Sequence, residues 1–161
     1  MGLLKNLSLK NLVLTAIATL GAALSVFAFT FGFVGNRLQI PLTLYEWLFE
    51  YGTIELLMKT CPVGTVLAFI AILPALFSII KLVFTVLFVL KPSTYRKEIK
   101  KTVIIAFVST VLLAIAGTIT SLTYTSTFLE VAVYSSEMHL PLVFSLLITV
   151  SYFIMDAFIK D

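Results

Sequence analysis

"VGTVLAFIAILPALFSIIKLVFTVLFVL", residues 63–90, runs for 28 residues with a single ionisable side chain, Lys81. A helix rises 1.5 Å per residue, so ~20 apolar residues cross the ~30 Å hydrocarbon core of a bilayer. This stretch exceeds that need and reads as a transmembrane helix. Three further stretches qualify: 12–34, 103–124 and 140–159. The first is longer than the apolar core of a secretory signal, ~15 residues, and is read as a retained span. Composition agrees. Of 161 residues, 60% are hydrophobic and 12% charged, with mean hydropathy +1.12; a soluble domain carries about twice that charge. The expected fold class is all-α integral membrane: one domain over 1–161, built as a four-transmembrane-helix antiparallel bundle.

The Lys/Arg distribution orients these spans. Lys5, Lys10, Lys91, Arg96, Lys97, Lys100, Lys101 and Lys160 fall on one side, eight in all, against Arg37 and Lys59 on the other. Both termini and the 91–102 loop are therefore expected in the cytoplasm, with outer segments 35–62 and 125–139, in a multi-pass protein of the cell membrane. The loop "KPSTYRKEIKK" places Lys91, Arg96, Lys97, Lys100 and Lys101 beside the spans. Such clusters contact anionic lipid headgroups, and they also serve simply to set orientation.

Lipid is as apolar as leucine, so helices associate through close packing of small residues and a few polar contacts. Gly64, Ala68, Ala71, Ala75 and Ser78 recur at steps of three and four, as do Thr110, Ala114, Gly117 and Ser121, and Gly21, Ser25, Ala28 and Gly32. These rows are the expected helix interfaces. Pro74 is expected to kink its span, because it removes one backbone hydrogen bond and crowds the preceding turn.

Two charges lie within the spans. Lys81 follows Ser78 by three residues and continues its small-residue face. Asp156 ends a polar row, Ser145, Thr149, Tyr152, Asp156. Counting from the outer edge, the two lie ~27 and ~24 Å deep, both in the inner leaflet. Equal depth and inward faces predict a Lys81–Asp156 ion pair across the bundle; the competing expectation is independent snorkelling to the cytoplasmic interface.

On the outer side, Leu38, Ile40, Leu42 and Leu44 alternate as in a strand, with Pro41 restricting it to an edge or bend. "YEWLFEYGTIELLMK" is amphipathic and aromatic, as an interfacial helix would be. "FLEVAVY" in the second outer segment also has strand character, so a small outer cap of short strands or an interfacial helix is expected. Leu44, Trp47, Phe49 and Ile54 make this segment more apolar than a solvated loop needs, and mark it as the expected partner-binding face. With long first outer loop and both termini inside, the layout resembles the claudin-type tetraspan family in topology. That family's first loop carries a Trp, a Gly-Leu-Trp and two Cys; here there are Trp47 and Cys61 alone. The resemblance therefore implies a layout and assigns no functional residue.

One Cys forbids an internal disulfide, and one His, His139, leaves paired-His haem, His-rich metal sites and Cys-x-x-Cys chemistry out of reach within one chain. The sequence holds no ligand spacing to draw Glu46, Glu50, Glu55, Glu130, Glu137 and His139 into a metal site, and no nucleophile–base pair is visible. No catalytic residue, cofactor or metal is expected. The expected function is that of a non-catalytic integral membrane protein: an accessory or structural subunit of a larger membrane complex, or a self-assembling tetraspan. Its partners are then membrane lipids and other membrane-protein subunits or itself, with no nucleic acid. The alternatives are a small channel or transporter using Lys81 and Asp156, and a membrane enzyme acting on lipid or quinone.

Overall fold

A computed structural model of the chain describes residues 8–30, 32–35, 41–43, 58–59, 62–89, 91–128 and 139–159. Its four principal helices, α1 (Leu9–Phe27), α2 (Pro62–Phe88), α3 (Pro92–Phe128) and α4 (His139–Phe158), are each long and apolar enough to cross a membrane. By length and composition this is a multi-pass membrane protein.

Ser8 caps α1: its backbone is extended and its hydroxyl accepts the Asn11 N–H at 3.1 Å. The helix ends at Phe27, passes through a 3-10 turn at Ala28–Thr30 and enters a short strand, β1 (Gly32–Gly35). The first span thus starts three residues earlier and stops seven residues earlier than the expected 12–34. The cap explains the early start, and Phe33 and Val34 between two glycines favour extended backbone at the other end. Gly32, counted above in a helical row, belongs to this strand. β1 pairs antiparallel with β2 (Pro41–Thr43), matching Gly35 to Pro41 and Val34 to Leu42, with one irregularity before Gly32 meets Thr43. All but Met58 and Lys59 of the interfacial helix expected over 45–59, and most of "FLEVAVY", fall outside the described residues, as do the side chains of Leu44, Trp47, Phe49 and Ile54.

The second difference has more consequence. The expected loop 91–102 is helix: only three residues separate α2 from α3. Pro92 takes the first helical position, where its missing N–H costs nothing, and the Tyr95 N–H bonds to the Lys91 carbonyl at 2.9 Å. Arg, Lys, Glu and Ile are serviceable helix formers. Tyr95, Ile99, Thr102 and Val103, at helical spacing, bury one face against the bundle. At 37 residues α3 is about 55 Å long, far more than the hydrocarbon core requires, and the surplus includes its polar first turns.

Helices consecutive in the chain run antiparallel. Ala28 near the end of α1 packs with Ala68 and Ala71 near the start of α2, while Leu14 packs with Leu82. Leu113 and Ala116 of α3 join the first group, and Ile99 and Val103 join the second together with Tyr152 of α4. α1 and α3 touch each other and both remaining helices; α2 and α4 flank them. The small-residue rows are the interfaces. Gly64, Ala68, Ala71, Ala75 and Ser78 are all buried, as are Thr110, Ala114 and Gly117, and Gly21, Ser25 and Ala28. Large side chains such as Leu73, Phe77, Ile80 and Phe84 point outward, as lipid contact expects. Hydroxyls tie the interfaces: Thr110 donates to Ser145 at 2.9 Å, and Ser25 and Ser78 meet at 3.4 Å.

Pro74 lies inside α2 without ending it. It leaves the carbonyl four residues earlier, that of Ile70, without its usual donor and loosens that turn. On the buried side of the same turn, Ser109 of α3 donates its hydroxyl to the Ala71 carbonyl at 2.7 Å.

Candidate functional site

The polar side chains within the bundle concentrate at the end where α2 turns into α3, and all four helices contribute. Thr15 of α1 and Tyr95 of α3 share a hydroxyl hydrogen bond of 2.7 Å. Arg96 Nε donates to Asn11 Oδ1 at 2.9 Å, bringing a guanidinium onto an amide that is itself buried. The fully buried Tyr152 of α4 directs its hydroxyl to the Arg96 carbonyl at 3.4 Å. Together these contacts close the bundle end over the Leu14, Tyr95, Ile99 and Tyr152 cluster.

The structure does not bring Lys81 and Asp156 together. Lys81 of α2 donates to Glu98 Oε2 of α3, and Glu98 Oε1 accepts from Lys101 Nζ at 2.7 Å. The side chains of Lys81 and Glu98 are 18% and 19% exposed; Lys101 is half-exposed. Asp156 instead faces Lys10 of α1, Nζ to Oδ1 at 3.8 Å, with Asp156 35% exposed. The correction has a geometric reason. The hairpin between α2 and α3 turns near residue 90, so Lys81, nine residues before it, lies level with Glu98, eight residues after it. α4 adjoins α1 and α3, where Lys10, two residues into α1, is at the depth of Asp156. Depth along the chain says nothing of rotation about the helix axis, and rotation chooses the partner.

Glu98 is the charged residue of this cluster that the sequence does not single out. Its signal was present: an acid among basic residues, at the level of an intramembrane lysine. It was hidden because 91–102 was read as a loop, which gives no register. Tyr95 is hidden for the same reason, and Asn11 and Thr15 with it, because their partners Arg96 and Tyr95 lie in that segment.

The five basic residues of this end separate into two groups. Arg96 is bonded to Asn11 and Lys101 to Glu98. Lys91, Lys97 and Lys100 are exposed and make no ion pair among the described residues. Lys100 sits over the Phe153 ring of α4, 5.0 Å from its centroid, within cation–π range. Among the described residues no three His, Cys, Asp or Glu side chains converge; Cys61, Glu46, Glu50, Glu55, Glu130 and Glu137 lie outside them.

The chain matches no family model, no curated protein and no solved structure. The topological likeness to claudin-type tetraspans therefore carries nothing further. What the arrangement can do chemically follows from the charges alone. Lys81 and Asp156, the two charges the sequence places within spans, each meet an opposite charge on another helix.

Proposed function

We propose that this chain is a non-catalytic integral membrane protein, an accessory or structural subunit of a larger complex in the cell membrane or a self-assembling tetraspan. One observation carries the reading: the intramembrane charges are consumed inside the chain, Lys81 by Glu98 and Asp156 by Lys10, while the outward faces of α2 and α4 are large and apolar. Polar groups used as internal glue leave lateral association as the available activity. A transporter or channel would instead need a charge exposed to a water-filled path.

Both termini face the cytoplasm in this reading, supported by the eight-to-two division of Lys/Arg. Cysteines introduced at Ser8 and Ser93, in a Cys61→Ser background, should resist an impermeant thiol reagent in intact cells and react after permeabilisation. Labelling of either in intact cells would reverse the orientation.

The functional reading is tested on the native particle. Solubilised in mild detergent, it should have a mass above one chain, with constant stoichiometry of a partner or of itself. Trp47→Ala/Phe49→Ala should reduce that association, because segment 42–58 is the proposed contact. A monodisperse single chain that conducts ions in liposomes would replace this reading with transport.

A further inference from the structure

An open apolar groove of about 540 Å³ runs along the flank between α3 and α4, walled by Phe107, Val111 and Ile115 on one side and Leu142, Val143 and Leu146 on the other. Both walls continue past the groove toward the basic end. On α3, steps of four and three residues lead from Val111 through Phe107 and Ile104 to Lys100, with Lys97 three residues further. On α4, the same spacing leads from Leu146 through Val150 to Phe153. Residues so spaced share one helix face. The two rows converge where the Lys100 ammonium lies 5.0 Å from the Phe153 ring centre.

One continuous flank therefore has two cations at its head and hydrocarbon beneath them. Among the described residues neither cation is neutralised: Glu98 is taken by Lys81 and Lys101, and Asp156 by Lys10. Lys97 and Lys100 are exposed and form no ion pair among the described residues.

We propose that this flank binds an anionic phospholipid, its phosphate held by Lys97 and Lys100 and one acyl chain laid along Ile104, Phe107 and Val111. Charge complementarity selects the headgroup, since lysines at the end of a span hold their ammonium groups at the membrane interface where phosphates lie. Length is consistent with the chain. From Lys100 to Val111 is about 16 Å along the helix, close to the ~15 Å that one leaflet contributes to the core. A second copy of this protein fits less well. Two copies related by a two-fold axis along the membrane normal would bring both lysine pairs to the same level of one interface, where like charges repel. The inference does not rest on the accessory-subunit reading; it needs only the basic end at a headgroup layer.

The test uses the full chain in membranes of phosphatidylcholine with one-fifth phosphatidylglycerol, extracted in mild detergent, with retained lipid counted by native mass spectrometry. The wild type should retain phosphatidylglycerol in preference to phosphatidylcholine. Lys97→Gln/Lys100→Gln should lower that retention roughly thirty-fold, from ~1 kcal/mol per lysine at a membrane surface. Leu146→Trp, which fills the groove and leaves the lysines in place, should lower it as well; Val150→Trp on the same row serves if Leu146→Trp fails to fold. Lys91→Gln, exposed but off this row, should change nothing. Equal losses with Lys91→Gln would reduce the effect to bulk surface charge and overturn the site. Full retention in both tryptophan variants would remove the groove from it. Disulfide formation between copies carrying Leu146→Cys (Cys61→Ser background), insensitive to phosphatidylglycerol, would assign the flank to a second copy instead.

Discussion

Glu98→Gln should destabilise the protein by ~3 kcal/mol, the lower end of what breaking a buried ion pair costs, since both partners keep about a fifth of their side-chain surface exposed. Lys81→Met should cost markedly less, on the order of 1 kcal/mol, although the two residues share one salt bridge. The asymmetry follows from the triad. Removing the carboxylate strands Lys81 within a candidate membrane span and releases Lys101. Removing Lys81 leaves Glu98 still bonded to Lys101 at 2.7 Å. The double variant should therefore lie near Lys81→Met and not at the sum, because no unpaired charge remains inside. Denaturant unfolding in mixed micelles measures all three. Equal single-variant losses, or a larger loss in Lys81→Met, would show that Lys101 does not hold the acid. Asp156→Asn gives the contrast. Its contact with Lys10 is long and a third exposed, so its loss should stay within ~1 kcal/mol. Combined with Lys81→Met it should add without coupling, since the two sites share no partner.

Gly64→Ala should be the costliest single-methyl addition at the helix interfaces, by ~1–3 kcal/mol as for overpacked cores. A Cβ at Gly64 would collide with the Thr120 hydroxyl and approach the Ala116 carbonyl to 3.1 Å. The Thr120 side chain cannot easily turn away, because its hydroxyl is bonded to that same carbonyl at 2.8 Å. α2 and α3 would have to separate there. Gly21→Ala is the matched control, equally buried in α1. Its Cβ would meet only the Ile148 Cγ2 at 3.4 Å, an ordinary contact. With the helix-propensity gain of alanine over glycine, Gly21→Ala should be neutral or stabilising by up to ~1 kcal/mol. Thermal unfolding in detergent separates the two; similar effects at both positions would mean that the α2–α3 approach is not close.

The span count and the small-residue interfaces were legible because each is a local property. Residues 63–90 must be a helix in lipid whatever surrounds them, since every backbone group has to be satisfied within the segment. The rows built on Gly64 and Thr110 face inward because only small residues let two helices approach. The boundaries were less legible. Capping by Ser8 and the Lys91–Pro92 start of α3 are polar signals, and a reading based on hydropathy ends or begins a span where the apolar run does. The row Ser145, Thr149, Tyr152, Asp156 shows both sides of this. Ser145 and Tyr152 are buried as the spacing implies, yet the acid that ends the row turns to α1.

What the sequence by itself determined is therefore the apolar surroundings, the number of helices long enough to cross a membrane and the position of each charge along its helix. Those follow from 1.5 Å per residue and from apolar length. What only the tertiary structure decided is which groups at one level meet: Lys81 with Glu98, Asp156 with Lys10, Arg96 with Asn11, Ser109 with the Ala71 carbonyl. Depth is a one-dimensional quantity that counting supplies. Partnership also needs the rotation of each helix about its axis and the order of helices around the bundle, and these are set jointly by packing across all four, where a Gly64 or a three-residue hairpin fixes the register of everything beside it.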